Sequence, residues 1–235
     1  GSIPPTGPPT YRPATTGGSL SRVDVLTADF AVLVFDQHRP PGPLRGLPVV
    51  DASDIEGAAG EHSRLIVVGS DADLAAVVTT LLRAETLGTE IGFVTPRRSA
   101  ASRAYGLAVG RRGARRALKG TAARVPLIRD DTGQVIVGSA MWRGADGPLH
   151  GEAVVDDTPL FYGDVGWVRV EPLAEMPGLR ASVVTTEGRR QRWVTGRAAQ
   201  LGTTGAVVSR DGVKSDREVK RSTFYRHVKG WLLVQ

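Results

Sequence analysis

The chain has 235 residues, enough for one large domain or two small ones with real cores. It contains no cysteine, which excludes disulfides, thiolate zinc sites and cysteine nucleophiles, and no stretch reads as a transmembrane span or a signal peptide. The formal charge of +6 hints at anionic partners, although a basic solvated surface is the commoner explanation.

Residues 3–20 are rich in Pro, Gly, Thr and Ser and lack apolar periodicity, so 1–22 reads as a linker or juxtamembrane arm. Gly1-Ser2 reads as the scar of a cleaved tag. Runs at 23–26 and 30–35 are strand signals. The Pro-rich segment 38–46 is a loop, because adjacent prolines enter neither a ladder nor a helix interior. A further strand is expected at 47–50 and a short helix or turn at 54–59.

The stretch 64–107 organises the chain. A β-branched run at 65–68 closes at Gly69, as a buried strand does. Ser70 or Asp71 can cap a helix whose apolar face is Leu74, Val77, Val78, Leu81 and Leu82. A second apolar run at 91–94 completes a strand–helix–strand crossover, which implies a parallel sheet with helices packed on it. Ligands of such sheets sit outside the carboxyl ends of the strands. The candidate cleft therefore lies between two turns, Gly69, Ser70, Asp71 and Asp73 on one side and Pro96, Arg97, Arg98 and Ser99 on the other. An apolar lining there would favour lipid. An Arg-filled gap would leave no room for a nucleotide.

Next comes a basic segment. Arg111, Arg115 and Lys119 recur at i, i+4 and i+8, with Arg112 and Arg116 beside them. As a helix this segment has one strongly basic face, and like charges at that spacing repel. The face wants either solvent or an anionic partner, such as anionic lipid, phosphate or an acidic protein.

From residue 125 the pattern changes to short β-type runs with turn residues between them, at 125–128, 134–142, 150–155, 165–170, 179–185, 191–198, 205–209, 219–225 and 230–234. Asp211-Gly212 is a hairpin signal. The expected organisation is an α+β fold: an α/β domain at 23–124 with a parallel sheet, then an antiparallel, β-rich sandwich or open barrel at 125–235. Arg, Trp, Tyr and Phe mix at 192–195 and 221–227. Cross-strand aromatic pairs with snorkelling arginines explain them better than a nucleic-acid surface does.

Chemical motifs are sparse. His38, His62, His150 and His227 are scattered, so no metal site is expected. Asp130-Asp131 and Asp156-Asp157 adjoin turn signals and read as turn chemistry. The segment Gly69, Ser70, Asp71, Ala72, Asp73 has the placement of a phosphate-binding turn. It resembles the GGDGT turn of the diacylglycerol kinase and NAD kinase superfamily. Pro96 and the phrase Arg103-Ala104-Tyr105-Gly106-Leu107 are similar to a second loop of that family, which then runs into a β-rich half. The resemblance implies a kinase-like layout, with Asp71 and Asp73 as candidate Mg²⁺ groups of a divergent lipid or nucleotide kinase. Ser70 and Ala72 replace glycines and add Cβ atoms where backbone would approach phosphate. Asp73 adds negative charge there, and the Gly-Thr pair of the second loop is missing. Positioned phosphates, metal and base are all needed for phosphoryl transfer, so catalysis reads as lost and no cofactor is expected.

The segments 111–133, 149–158 and 225–234 are similar to a set of actinobacterial envelope proteins, the trehalose monomycolate transport factors. These are accessory to the exporter of mycolic-acid lipid. That likeness implies a single-pass plasma-membrane anchor ahead of a cytoplasmic domain, a membrane lipid transporter as partner, and no catalytic residue. Nucleic acid is the least favoured partner.

Overall fold

The computed structural model describes residues 29–36 and 38–235. The linker at 1–22 and the strand expected at 23–26 lie outside the described residues.

The first sheet grows from two alternations. β1 (Phe30–Val34) and β3 (Arg64–Val68) pair in parallel, and each places successive side chains on opposite faces. Leu33, Leu65 and Val67 face one core, while Val32, Ile66 and Val68 face another. Strands buried on both faces read as unbroken apolar runs, which is why 65–68 was visible. β2 is only Val49–Val50, because Pro48 has no N–H and the amides of Leu44, Arg45 and Leu47 before it are used in local turns. α1 (Ile55–Glu61) is capped by Asp54, whose carboxylate accepts from the Gly57 amide at 3.0 Å. α2 (Asp71–Arg83) buries Leu74, Val77, Val78 and Leu81 against the first core. β4 (Glu90–Val94) is followed by the short α3 (Ala100–Ala104) and by α4 (Gly110–Lys119). Ala114 and Ala117 of α4 pack on the second face of the sheet.

One buried cation sets α4 in place. Arg64 pairs with Glu90, its register partner on β4, at 2.6 Å. Its guanidinium also donates to the carbonyls of Ala117, Leu118 and Gly120 at 3.0–3.1 Å. Those are orphan acceptors at the negative end of the helix, so a buried charge and a frayed helix end satisfy each other.

The second sheet is antiparallel and ten-stranded. β6 (Ile128–Asp130), β7 (Val135–Ile136), β8 (Ala140–Gly144), β9 (Leu149–Val155), β10 (Thr158–Val165), β11 (Trp167–Pro172), β12 (Leu179–Val184), β13 (Val194–Gly196), β14 (Ala198–Arg210) and β15 (Val213–Arg226) supply it. Its order is β13-β12-β11-β8-β14-β15-β6-β7, with β9 on β14 and β10 on β9. Ala153 of β9 and Val165 of β10 share a core with Val168 of β11 and Val183 of β12, without pairing to those strands. The sheet therefore curls round its own interior, with Trp142 and Phe224 at the centre.

The division at residue 124 does not separate the sheets. β5 (Ala122–Val125) belongs to the first, and β16 (Trp231–Val234) returns from the far end to lie between β4 and β5. The run at 125–128 is thus split at Pro126, and the run at 230–234 is not part of the second sheet. β10 lies where no strand was expected, and the run at 134–142 breaks at Gly138-Ser139. Trp231 is 1% exposed and packs edge-on against Tyr105, ring centroids 5.6 Å apart. Trp231→Ala should lower the unfolding free energy by about 3–5 kcal/mol, read from the urea midpoint at unchanged slope.

Candidate functional site

The turn after β3 is built by local chemistry. Ser70 is the N-cap of α2, and its hydroxyl accepts from the Asp73 amide at 3.3 Å. Asp73 closes a capping box, accepting from the Ser70 amide and hydroxyl, each at 2.7 Å. A Cβ on Gly69 would meet that carboxylate at 2.6 Å, so Gly69 is needed for the cap itself. The turn after β4 is organised in the same way. Ser99 and Ser102 form a second capping box, with bonds of 2.8 and 3.1 Å. Pro96, Arg97 and Arg98 are exposed.

Asp71 joins the two turns. Its Oδ2 accepts from the Ala101 amide at 3.0 Å, while Oδ1 is buried with no protein partner. Facing it is a carboxylate from the other end of the fold. Asp211, in the β14–β15 turn, accepts from the amides of Val137, Gly138 and Ser139 at 3.0, 2.7 and 2.9 Å. These bonds hold the 137–139 segment against both turns. A Cβ on Gly138 would stand 2.8 Å from Asp71 Oδ2, 2.9 Å from Ala100 Cβ and 3.0 Å from Asp211 Oδ1. Val137 is sunk in the first core, and the Val135 amide donates to Thr79 of α2 at 3.0 Å. The chain's own backbone thus lies against the starts of α2 and α3, at Asp71 and Ala100, while Arg97 and Arg98 stay exposed.

The electrostatics follow from this burial. The Asp211 carboxyl is pushed up to about 7, first by burial, with the Asp71 charge adding to it and the three amides opposing it. Burial, with the Asp211 charge behind it, also raises the Tyr105 phenol. The hydroxyl of Tyr105 and the indole nitrogen of Trp231 are buried beside each other without a hydrogen-bond partner by geometry.

The residues at this seam offer a Mg²⁺–nucleotide few free oxygens. One oxygen of Asp73 serves a helix cap, one of Asp71 an amide and both of Asp211 three more amides, which leaves Asp71 Oδ1 and Asp73 Oδ1. Mg²⁺ demands free oxygens in near-octahedral array. Among the described residues no group of three or more His, Asp or Glu side chains could hold a metal.

The basic face lies apart from this seam. Arg111, Arg112, Arg115, Arg116 and Lys119 are all exposed on α4, opposite the buried Gly113, Ala114 and Ala117. None of the five has an ion-pair partner among the described residues. Asp156 and Asp157 form the β9–β10 turn, where Asp156 adopts φ 50° and accepts from the Arg197 and Ala198 amides. Asp130 is buried and pairs with Arg210. His150 pairs with Asp164 at 2.7 Å. Sequence reasoning missed Asp211 and Gly138. The available signal was a glycine inside an apolar strand pattern, which marks a close backbone approach.

A parallel sheet flanked by helices, a curled antiparallel sheet and a turn–helix at the carboxyl end of β3 together define a kinase-like α+β fold. A diacylglycerol kinase from Bacillus anthracis str. Sterne superposes with a TM-score of 0.66 at 13% identity, over 88% of this chain and 96% of that one. An NAD kinase from Archaeoglobus fulgidus in complex with ATP gives 0.58 at 12%, over 88% and 93%. No family model matches the chain, and neither does any curated protein. At these identities the likeness concerns the fold alone.

Two outcomes follow from the seam. The folded protein holds the Asp211 proton more tightly than the unfolded chain, whose value is near 3.8. This group's contribution to stability is therefore fully present below pH 3.8 and lost as pH rises through about 7. Unfolding free energies measured across that window should fall for the wild type by on the order of a few kcal/mol relative to Asp211→Asn. Gly138→Ala should cost about 1–3 kcal/mol in a denaturant melt, because the added methyl meets both turns.

Proposed function

We propose that this protein is a non-catalytic accessory factor built on a kinase-like fold. It acts at the plasma membrane by binding a membrane lipid transporter or an anionic lipid, in the export of envelope lipid of the trehalose monomycolate, mycolic-acid class. The single observation that supports the non-catalytic part is the 137–139 segment, which Asp211 holds against Asp71 and Ala100, next to the turn that resembles a phosphate-binding turn. The envelope part rests on the likeness of segments 111–133, 149–158 and 225–234 to actinobacterial transport factors, as does the expected anchor ahead of the described residues.

The α4 face supports an anionic docking partner. Arg111 and Arg112 occupy the first turn, at the positive end of the helix dipole, and no acidic residue offsets them. That placement costs the isolated helix stability and is compensated by negative charge from outside.

The whole chain should show no change in Tm with millimolar Mg-ATP and no phosphoryl transfer. Stabilisation by Mg-ATP with turnover would replace this reading by that of a divergent kinase. A pull-down from actinobacterial membranes should recover an exporter subunit; recovering no membrane protein would overturn the adaptor reading. Basic residues near an anionic surface contribute about 1 kcal/mol each, so replacing Arg111, Arg112, Arg115 and Arg116 by Gln should weaken retention on anionic vesicles at least about tenfold.

A further inference from the structure

A half-enclosed cavity of about 500 Å³ opens where α3 faces β11, β12 and the loop after β12. Of the residues described above at the two turns, only Ala100, the first of α3, lines it. Arg103, Arg169, Arg180 and Arg190 converge on it, with Glu171 as the one carboxylate and Trp193 as the one aromatic. Glu171 is already spent. Its Oε1 accepts from Arg169 Nε at 2.6 Å, and its Oε2 accepts from Arg180 Nε and Nη2 at 3.0 and 2.7 Å. Arg180 and Arg190 lie against the Trp193 ring, 4.3 and 5.5 Å from its centroid. The side chains of Arg103 and Arg190 have no hydrogen-bond acceptor among the described residues. Four guanidiniums against one carboxylate leave a surplus of three positive charges.

Guanidiniums that share a cavity repel each other, and each still has donors to fill. The arrangement is complementary to an anion that carries more than one charge and accepts from several directions. A carboxylate supplies one charge in one plane, and the cavity already contains one. A phosphodiester also carries only one charge. A phosphomonoester carries close to two charges at neutral pH and presents three tetrahedral oxygens to the planar forks of several arginines. The cavity exceeds the volume of a phosphate group, so part of the esterified alcohol fits beside the Trp193 ring.

We propose that this cavity binds a phosphomonoester dianion. The shared chemistry covers a lipid headgroup and a soluble phosphate, and the test separates them. The proposal does not rest on the adaptor reading, because it is decided without membranes or a partner protein.

The whole chain is titrated near neutral pH with inorganic phosphate, and separately with short-chain phosphatidate below its micelle concentration, followed by calorimetry and tryptophan fluorescence. Saturable binding is expected. Arg103 and Arg190 are exposed, so Arg103→Gln with Arg190→Gln should keep the wild-type Tm and weaken binding by at least about tenfold. Arg111→Gln with Arg115→Gln, on α4, should leave it unchanged. Tighter binding of phosphatidate than of phosphate assigns a lipid headgroup, and equal binding assigns a free phosphate; both support the site. Absence of binding by both at millimolar concentration overturns it. So does unchanged affinity in the Arg103, Arg190 variant, or an equal loss in the α4 variant.

Discussion

The architecture depends on one carboxylate holding three consecutive amides. Asp211 gathers the N–H groups of Val137, Gly138 and Ser139 and so fixes the path by which the chain re-enters the space beside the first sheet. Burying a carboxylate beside another, Asp71, is unfavourable in a low-dielectric setting, and the amide donors offset that cost. Because Val135 and Val137 are part of the first core, the seam is also a hydrophobic joint between the two sheets. A backbone segment with no side chain at Gly138 is the one filler thin enough to lie between two capped helix starts.

Arg64 sets the second constraint. Its charge is buried on strand β3 and meets the end of α4 from below, so the helix cannot roll on the sheet without stranding three carbonyls. With Ala114 and Ala117 locked inward, the arginines of α4 are held outward. The orientation of the basic face is thus a consequence of core packing, and the same residues that stabilise the sheet present the charge.

Local signals carried the first sheet well. Leu74, Val77, Val78 and Leu81 recur at a helical period directly after a capping serine, and each cue agrees with the others. The second sheet was harder to read. β10 contains Pro159 and Gly163 and is mostly exposed, so it lacks the apolar alternation of a half-buried strand. β15 starts well before the apolar stretch at 219–225, because residues 213–218 are mostly solvated and carry Lys, Asp and Glu, and β14 reaches back to Ala198 through a stretch where Gln200, Gly202 and two threonines dilute the buried Ala199 and Leu201. At the seam, Gly138 and Asp211 are separated by 73 residues, and nothing local pairs them. The arginines of the cavity come from α3, from β11, from β12 and from a loop, and only the folded topology brings them to one place. The kinase-like layout was legible because a turn and its flanking elements are contiguous. The segment that packs on Asp71 was not, because it comes from elsewhere in the chain.

The position of β16 bears on how the molecule comes into being. The strand is inserted between β4 and β5 yet is translated after the entire second sheet. During synthesis β4 therefore waits with an open edge, and the interior of the parallel sheet is completed only when residues 231–234 clear the ribosome. Nascent chains of this protein are consequently exposed to edge-to-edge association from the emergence of β4 until β16 follows, and a chain cut short before residue 231 would lack the strand that joins β4 to β5.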